Sequence, residues 1–369
     1  MDRTAQEIRK RRSESENLTM KAKAAVYTGI NKPLEIREFE LTAPPLGMAK
    51  IKLVASGVCG TDLHIHKGKL AIPPPMIIGH EFVGQVEELS AEDSKKYNIN
   101  IGENVIVDIA CPCGECKLCR DGDDANCVNM GVTNGGNPDE PPHLWGGYSE
   151  YNYSPVQNLI KIPSELNPKT TSVYACAGPT VIHAFQLAER ANCNLHNAQT
   201  AVVQGLGPVG TFAVLYLAAM KIPNIIAMTA GNTPKREELA YKLGATKVIG
   251  VDETVTDADL VFEASGNPAA FVNGMNMLRN RGVYLVPGQY SNSGGVEIQP
   301  QLITFKALHI IGSSQYSISD VKMYIEFLKN NQHLCTTIDE LITEYKVEDV
   351  NKAFADINAG KNVKTILVP

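Results

Sequence analysis

TAVVQGLGPVGTFAVLYLAAMK, Thr200–Lys221, is the stretch whose reading decides the fold. It opens as an apolar, β-branched run that suits a buried strand. GLGPVG, Gly205–Gly210, then fits G-x-G-x-x-G, and the apolar run after it reads as a helix. The glycine pattern alone is weak evidence. Between a strand and a helix it stands in the setting that a dinucleotide-binding turn requires. Gly205 allows the tight turn, and Gly207 lets the backbone approach a pyrophosphate at the positive helix end. Gly210 lets helix and strand pack closely. Leu206, Pro208 and Val209 complete the candidate cofactor-binding turn.

On either side the pattern continues. IHAFQLAERA before the turn reads as a helix, NIIAMTA after it as a second apolar strand, and KREELAYKLGA as an amphipathic helix ending at Gly244. KVIG, LVFEAS and GVYLVPG are further short strands. Strands alternating with helices predict a doubly wound parallel sheet, the Rossmann arrangement, over 178–307. An acid at the end of the second strand would bind a plain adenosine ribose. Thr229 stands there instead, with Lys235 and Arg236 shortly after. Those two cations suit a 2′-phosphate, or are surface charges at a helix start, so NAD and NADP both stay open.

From Lys21 to about Ile162 the texture differs. AKIKLVASGVCG alternates and ends in glycine, while GHEFVGQVEEL and GENVIVDIA are β-branched runs bounded by glycine. This predicts a mostly β, barrel-like domain over 20–177. After Ala307 the pattern turns mixed, and ILVP at the end of the chain suits a strand that rejoins the first domain, giving a return segment 308–369.

CPCGECKLCRDGDDANC, Cys111–Cys127, carries five of the nine cysteines. Cys113, Cys116, Cys119 and Cys127 form C-x2-C-x2-C-x7-C. Four thiolates at that spacing suit a closed tetrahedral zinc with no place for substrate, hence a structural site. Cys111 is left over and reads as a loop thiol. A second set is spread along the chain. GVCGTDLHIHKG offers Cys59, Thr61, Asp62 and His64; IIGHEFVG offers His80 and Glu81; YACAGPTVIHAF offers Cys176 and Thr180. Cys59, His80 and Cys176 together make a three-ligand site with one position free, which is a catalytic arrangement. His66 and Cys193 read as packing residues.

Composition bounds the partners. The chain has 369 residues and a net charge of −6, which argues against a nucleic-acid surface. No apolar run approaches a membrane span. MDRTAQEIRKRRSESENL lacks the apolar stretch of a secretory signal, so 1–19 is read as a solvated helical extension. With that, an odd number of clustered cysteines points to a reducing cytoplasm.

On the glycine turn and the two ligand sets, everything from Met20 to Pro369 resembles the zinc-dependent medium-chain dehydrogenase/reductase family, the alcohol and polyol dehydrogenases. The resemblance implies a GroES-like catalytic domain beside the Rossmann domain. It implies a catalytic zinc on Cys59, His80 and Cys176, with Glu81 behind the metal and able to swap in. Polyol dehydrogenases of the family tend to carry glutamate where Cys176 stands, so this chain departs towards the alcohol pattern. Thr61 and His64 would pass on the alcohol proton, Asp62 would orient His80, and Thr180 would touch the nicotinamide. Lys364, in GKNVKTIL, stands where an arginine often lies near the pyrophosphate. The activity implied is hydride transfer between an alcohol or polyol and NAD(P), in a homodimer or homotetramer. A zinc-free alkene reductase on the same fold, or a non-enzymatic zinc-ribbon module, leaves one or both ligand sets unexplained.

Overall fold

The computed structural model describes residues 20–231, 234–291 and 293–369. The extension expected at 1–19 lies outside the described residues.

Six parallel strands form the sheet around the glycine turn, in the order 247–250, 224–229, 200–204, 258–263, 278–286, 309–312. Sequence order reverses between Thr200–Gln204 and Ala258–Glu263, so a crevice opens beyond the carboxyl ends of these two strands. The helix Pro208–Ala219 starts with Gly207 as its cap and a proline at its first position, where the fixed φ favours helix and no N–H is lost. Nearly all of its side chains are apolar, and it is buried between the sheet and the helix Ala177–Arg190. That packing is why the stretch shows no amphipathic period. The hydrophobic core here includes Phe185, Phe212, Phe262 and Tyr324.

The other sheet is antiparallel except at one end. Its strands run 342–346, 364–368, 48–57, 81–88, 104–107, 159–161, with Tyr151–Pro155 also paired to Met48–Gly57. The C-terminal strand Lys364–Val368 therefore lies inside this β domain, and its Ile366 pairs with Gly57. The return begins later than 308, however. His309–Gly312 is the sixth strand of the parallel sheet, and the helix Ile318–Asn330 packs on Ala177–Arg190. An edge strand is short and half-buried, so its composition alone did not separate it from the mixed segment that follows.

Candidate active site and a second thiol cluster

Strand pairing assembles the first donor set. Gly57 opposes Glu81 across neighbouring antiparallel strands, so Cys59, just past one strand, comes beside His80, just before the other. Cys176 arrives from the head of the helix Ala177–Arg190. The sulfurs of Cys59 and Cys176 and a ring nitrogen of His80 lie within 4.8 Å of one another. The electrostatics are those of a cation site. The Cys176 thiol hydrogen-bonds the Cys59 sulfur, and that bond, with His80, holds Cys59 well below the usual thiol range although burial opposes it. Burial works against a charged His80, but Asp62 and then Cys59 outweigh it and raise its pKa well above normal. Glu81 is buried, pushed up to about 7 chiefly by burial, and one of its oxygens has no hydrogen-bond partner. Soft donors converging on one point, with an unpartnered carboxylate oxygen next to them, fit a zinc ion.

A frame of polar side chains fixes these donors. Asp62 is the third residue of the helix Gly60–His66, and one carboxylate oxygen accepts from the Cys59 backbone N–H at 2.8 Å. The same oxygen accepts from the Tyr148 hydroxyl at 2.8 Å, and the other stands 3.4 Å from His80 Nδ1. Lys364 Nζ donates to Glu81, and both side chains are almost fully buried. The cation that resemblance sets near a pyrophosphate is thus engaged by a carboxylate beside the donor set. It opens the last strand of the β domain, where Val58 N–H donates to the neighbouring Thr365 carbonyl.

One cleft joins this set to the glycine turn. It is lined by Cys59, Thr61, His64, Glu81 and Cys176 on one side and by Gly207, Pro208, Val209 and Ser265 on the other. Gly205 takes φ +92°, and a Cβ on Gly210 would lie 1.8 Å from the Gly205 carbonyl oxygen, so both positions need glycine. At Gly207 a Cβ would meet nothing within 4 Å, which leaves open space against the helix N-terminus for an anionic group. Leu206 is buried in the core. Thr180 lies one turn beyond Cys176, half-buried, its hydroxyl donating to the Cys176 carbonyl at 2.8 Å. Thr229 is buried at the end of the second parallel strand, and Arg236 is half-buried in the helix Pro234–Lys242.

The second thiol cluster is separate. Cys113, Cys116, Cys119 and Cys127 bring four sulfurs together, with Cys127 to Cys113 at 3.4 Å, Cys116 to Cys119 at 3.5 Å and Cys116 to Cys127 at 4.0 Å. Sulfurs about 2.3 Å from a tetrahedral zinc stand about 3.8 Å apart, so this spacing fits the ion. Backbone N–H groups of Cys119 and Val128 lower the Cys116 thiol to about 6, and burial among the sulfurs pushes Cys119 up to about 12. All nine cysteines are free of disulfides. Cys111 stands apart, 3.6 Å from Asn158 Oδ1, its thiol raised to about 11 mainly by burial.

Three residues of the site carry no local sequence signal: Tyr148 on Asp62, Ser291, whose hydroxyl lies 2.9 Å from His64 Nδ1, and Lys364 in its pairing with Glu81. Glu263, an acid at a strand end that sequence reasoning passed over, does have a local signal: the Ser-Gly that follows one residue later marks a turn.

Residues 46–164 match the alcohol dehydrogenase GroES-like domain, and residues 208–330 match the zinc-binding dehydrogenase domain. The chain belongs to the zinc-dependent medium-chain dehydrogenase family. It is 28% identical to 5-exo-hydroxycamphor dehydrogenase of Pseudomonas putida, over 94% of this chain and 98% of that one. It is likewise 28% identical to the NDMA-dependent alcohol dehydrogenase of Amycolatopsis methanolica, over 95% and 99%. Among solved structures it resembles an alcohol dehydrogenase from Thermotoga maritima, with a TM-score of 0.83 and 26% identity, over 95% of this chain and all of that one. The two-domain fold and the dehydrogenase class follow from this membership.

Proposed function

We propose that this dehydrogenase moves a hydride between the CH–OH carbon of an alcohol and NAD, with NADP also accepted, giving a ketone or an aldehyde. The observation that carries the reading is the shared cleft: an open donor set on one wall and a dinucleotide turn on the other. Cys59, His80 and Cys176 would hold zinc, with Glu81 behind it, and Cys113, Cys116, Cys119 and Cys127 would hold a second, structural zinc. The catalytic zinc supplies Lewis acidity that lowers the pKa of a bound hydroxyl, and the nicotinamide accepts the hydride.

The chain's own side chains do the rest. Thr61, in the cleft beside Cys59, would take the alcohol proton and pass it to His64. Burial, then Lys69, lower the His64 pKa, so its imidazole is neutral and able to accept. Ser291 holds His64 Nδ1 from the opposite domain. Asp62 keeps His80 oriented, and the charge of Lys364 compensates Glu81. Gly205–Gly210 would seat the pyrophosphate, with Thr180 against the nicotinamide. Thr229 adds no carboxylate at the adenosine end, so it does not itself repel a 2′-phosphate, and Arg236 is near enough in sequence to pair with one. Cys176 in place of glutamate favours alcohols over polyols. We extend the reading to a cytoplasmic homodimer or homotetramer joined through the cofactor domains; the disulfide-free cysteines favour the compartment. Among the described residues no helix is long and apolar enough to cross a membrane.

The test is a screen of alcohols, polyols, ketones and aldehydes against NAD(H) and NADP(H), read at the absorbance of the reduced nicotinamide. Turnover that disappears with a chelator supports the reading. Absence of turnover with every pair, in protein that holds its zinc, overturns it.

A further inference from the structure

Glu263 ends the strand next to the glycine-turn strand and is fully buried. Among the described residues no lysine or arginine pairs with it. Its hydrogen-bond donors come from the turn that follows it, and the buried Tyr290 hydroxyl stands beside the carboxylate from the loop beyond. Oε1 accepts from the Ser265 N–H at 2.7 Å, from the Ser265 hydroxyl, and from the Gly266 N–H at 3.1 Å. Several hydrogen bonds to one carboxylate are the arrangement that keeps a buried anion satisfied without a cation.

The carboxylate also touches a second loop. A Cβ on Gly288 would lie 2.0 Å from Glu263 Oε2, and a Cβ on Gly266 would lie 2.4 Å from the Gln289 carbonyl oxygen. The turn Ser265–Gly266 and the loop Pro287–Gln289 therefore meet backbone to backbone, with Glu263 between them. On its other side the same turn meets the glycine turn: a Cβ on Gly205 would lie 2.9 Å from Ser265 Cα. The Ala264 N–H donates to the Gln204 carbonyl at 2.9 Å, which ties the two strand ends. Ala264, Ser265, Pro287, Gly288 and Gln289 all line the cleft.

We infer that Glu263 is a positioning residue for the cofactor wall: it pins the Ser265–Gly266 turn and the Pro287–Gln289 loop at a fixed distance from Gly205–Gly207. It touches neither donor set and reaches no reacting atom. It acts by keeping three backbone segments in register, so that a dinucleotide lying along Gly207 meets a preformed wall. This rests on the proposed binding of NAD(P) in that cleft.

Glu263→Gln tests it. The amide keeps the size, but it has one acceptor oxygen and no charge, so the bonds to the turn weaken. The measurements are the dissociation constants of NADH and NADPH by calorimetry on the full zinc-loaded chain, its zinc content and its melting temperature. The expected result is coenzyme binding weaker by about tenfold, with zinc content unchanged and melting shifted by only a few degrees. Ser265→Ala, which removes only the hydroxyl donor, should weaken binding by about threefold. It decides the matter if Glu263→Gln fails to fold. Wild-type dissociation constants in the folded variants overturn the inference, and so does a loss of zinc that accounts for the change. A wild-type chain that binds neither NADH nor NADPH overturns the proposed function and this inference together, whereas wild-type binding with unaffected variants overturns the inference alone.

Discussion

The two thiol clusters of this chain use the same sulfur chemistry for opposite ends. Cys113, Cys116, Cys119 and Cys127 come from fifteen consecutive residues, and backbone N–H groups of the same loop donate to the sulfurs: Cys113 to Cys127, Cys119 to Cys116. The loop makes its own frame. Cys59, His80 and Cys176 come from three separate segments, and their frame is long-range: Tyr148 on Asp62, Asp62 facing His80, Lys364 on Glu81. A site that fills every coordination position needs only a loop that closes. A site that keeps one position open needs walls that keep its donors from collapsing onto it, and those walls must come from the rest of the fold.

The largest effect that tests this contrast is Cys59→Ala. It takes one donor from the three-donor set and leaves the four-thiolate loop intact. Turnover should fall to background, zinc should drop from about two to about one per chain, and the fold should persist because the β domain does not depend on the open site. Metal analysis beside a circular-dichroism melt checks it. Retained activity would remove Cys59 from the chemistry.

Cys116→Ser makes the reverse cut. Zinc should again fall by about one per chain, but the loss should appear as stability. A drop in melting temperature of about 5 °C or more is expected, since a structural metal contributes directly to folding. Freshly purified protein should keep turnover and then lose it on warming. Full zinc content and an unchanged melt would mean that the four sulfurs hold no ion.

The contrast also accounts for what the sequence revealed. The four-thiolate loop was legible because its ligands are local and their spacing is itself the signal. The glycine turn was legible for the same reason, since strand, turn and helix are consecutive. The open site was legible as a three-donor set, while the parts of Thr61, His64, Asp62, Glu81 and Thr180 around it came through resemblance, because no spacing states what those residues do. Its supports were not legible. Tyr148 reads as an aromatic in a glycine-rich loop, and Ser291 as part of a turn. Lys364, placed by resemblance at a pyrophosphate, is found on Glu81 because the last strand pairs beside Gly57 and brings Lys364 within reach of that carboxylate. The late return of the chain, after Gly312, was hidden by the shortness of an edge strand.

Asp62→Asn probes the long-range frame without touching a ligand. The amide can still accept the Cys59 N–H, but it lacks the charge that faces His80. Such a partner of a ligand imidazole accounts for about 10–100-fold in metal affinity or activity. The expected outcome is a loss in that range, faster extraction of one zinc by a chelator, and no change at the four-thiolate loop. Equal extraction of both zincs would mean that the frame serves the whole domain and not the open site.

The smallest expected effect belongs to the fifth cysteine of the loop. Cys111 precedes the ligand run by two residues, and by sequence alone it could compete for the metal. The structure gives it a different neighbour, Asn158 Oδ1 at 3.6 Å, while Asn158 Nδ2 donates to the carbonyls of Asp108 and Ala110. Burial raises the Cys111 thiol to about 11, so at neutral pH it is protonated and is neither a good ligand nor a fast nucleophile. The Cys116 thiol, at about 6, is the opposite case inside the same loop. Cys111→Ser exchanges a weak S–H donor for a stronger, shorter O–H donor to the same amide oxygen. Both zincs should remain, turnover should be unchanged, and the melt should move by no more than about 2 °C, the scale of a change of about 0.5 kcal/mol. Zinc quantification on Cys111→Ser beside Cys116→Ser is the direct comparison. If Cys111→Ser also loses an ion, the closed site draws on five sulfurs, and its independence from the rest of the fold is lost with it, because Cys111 is anchored through Asn158 to the β domain.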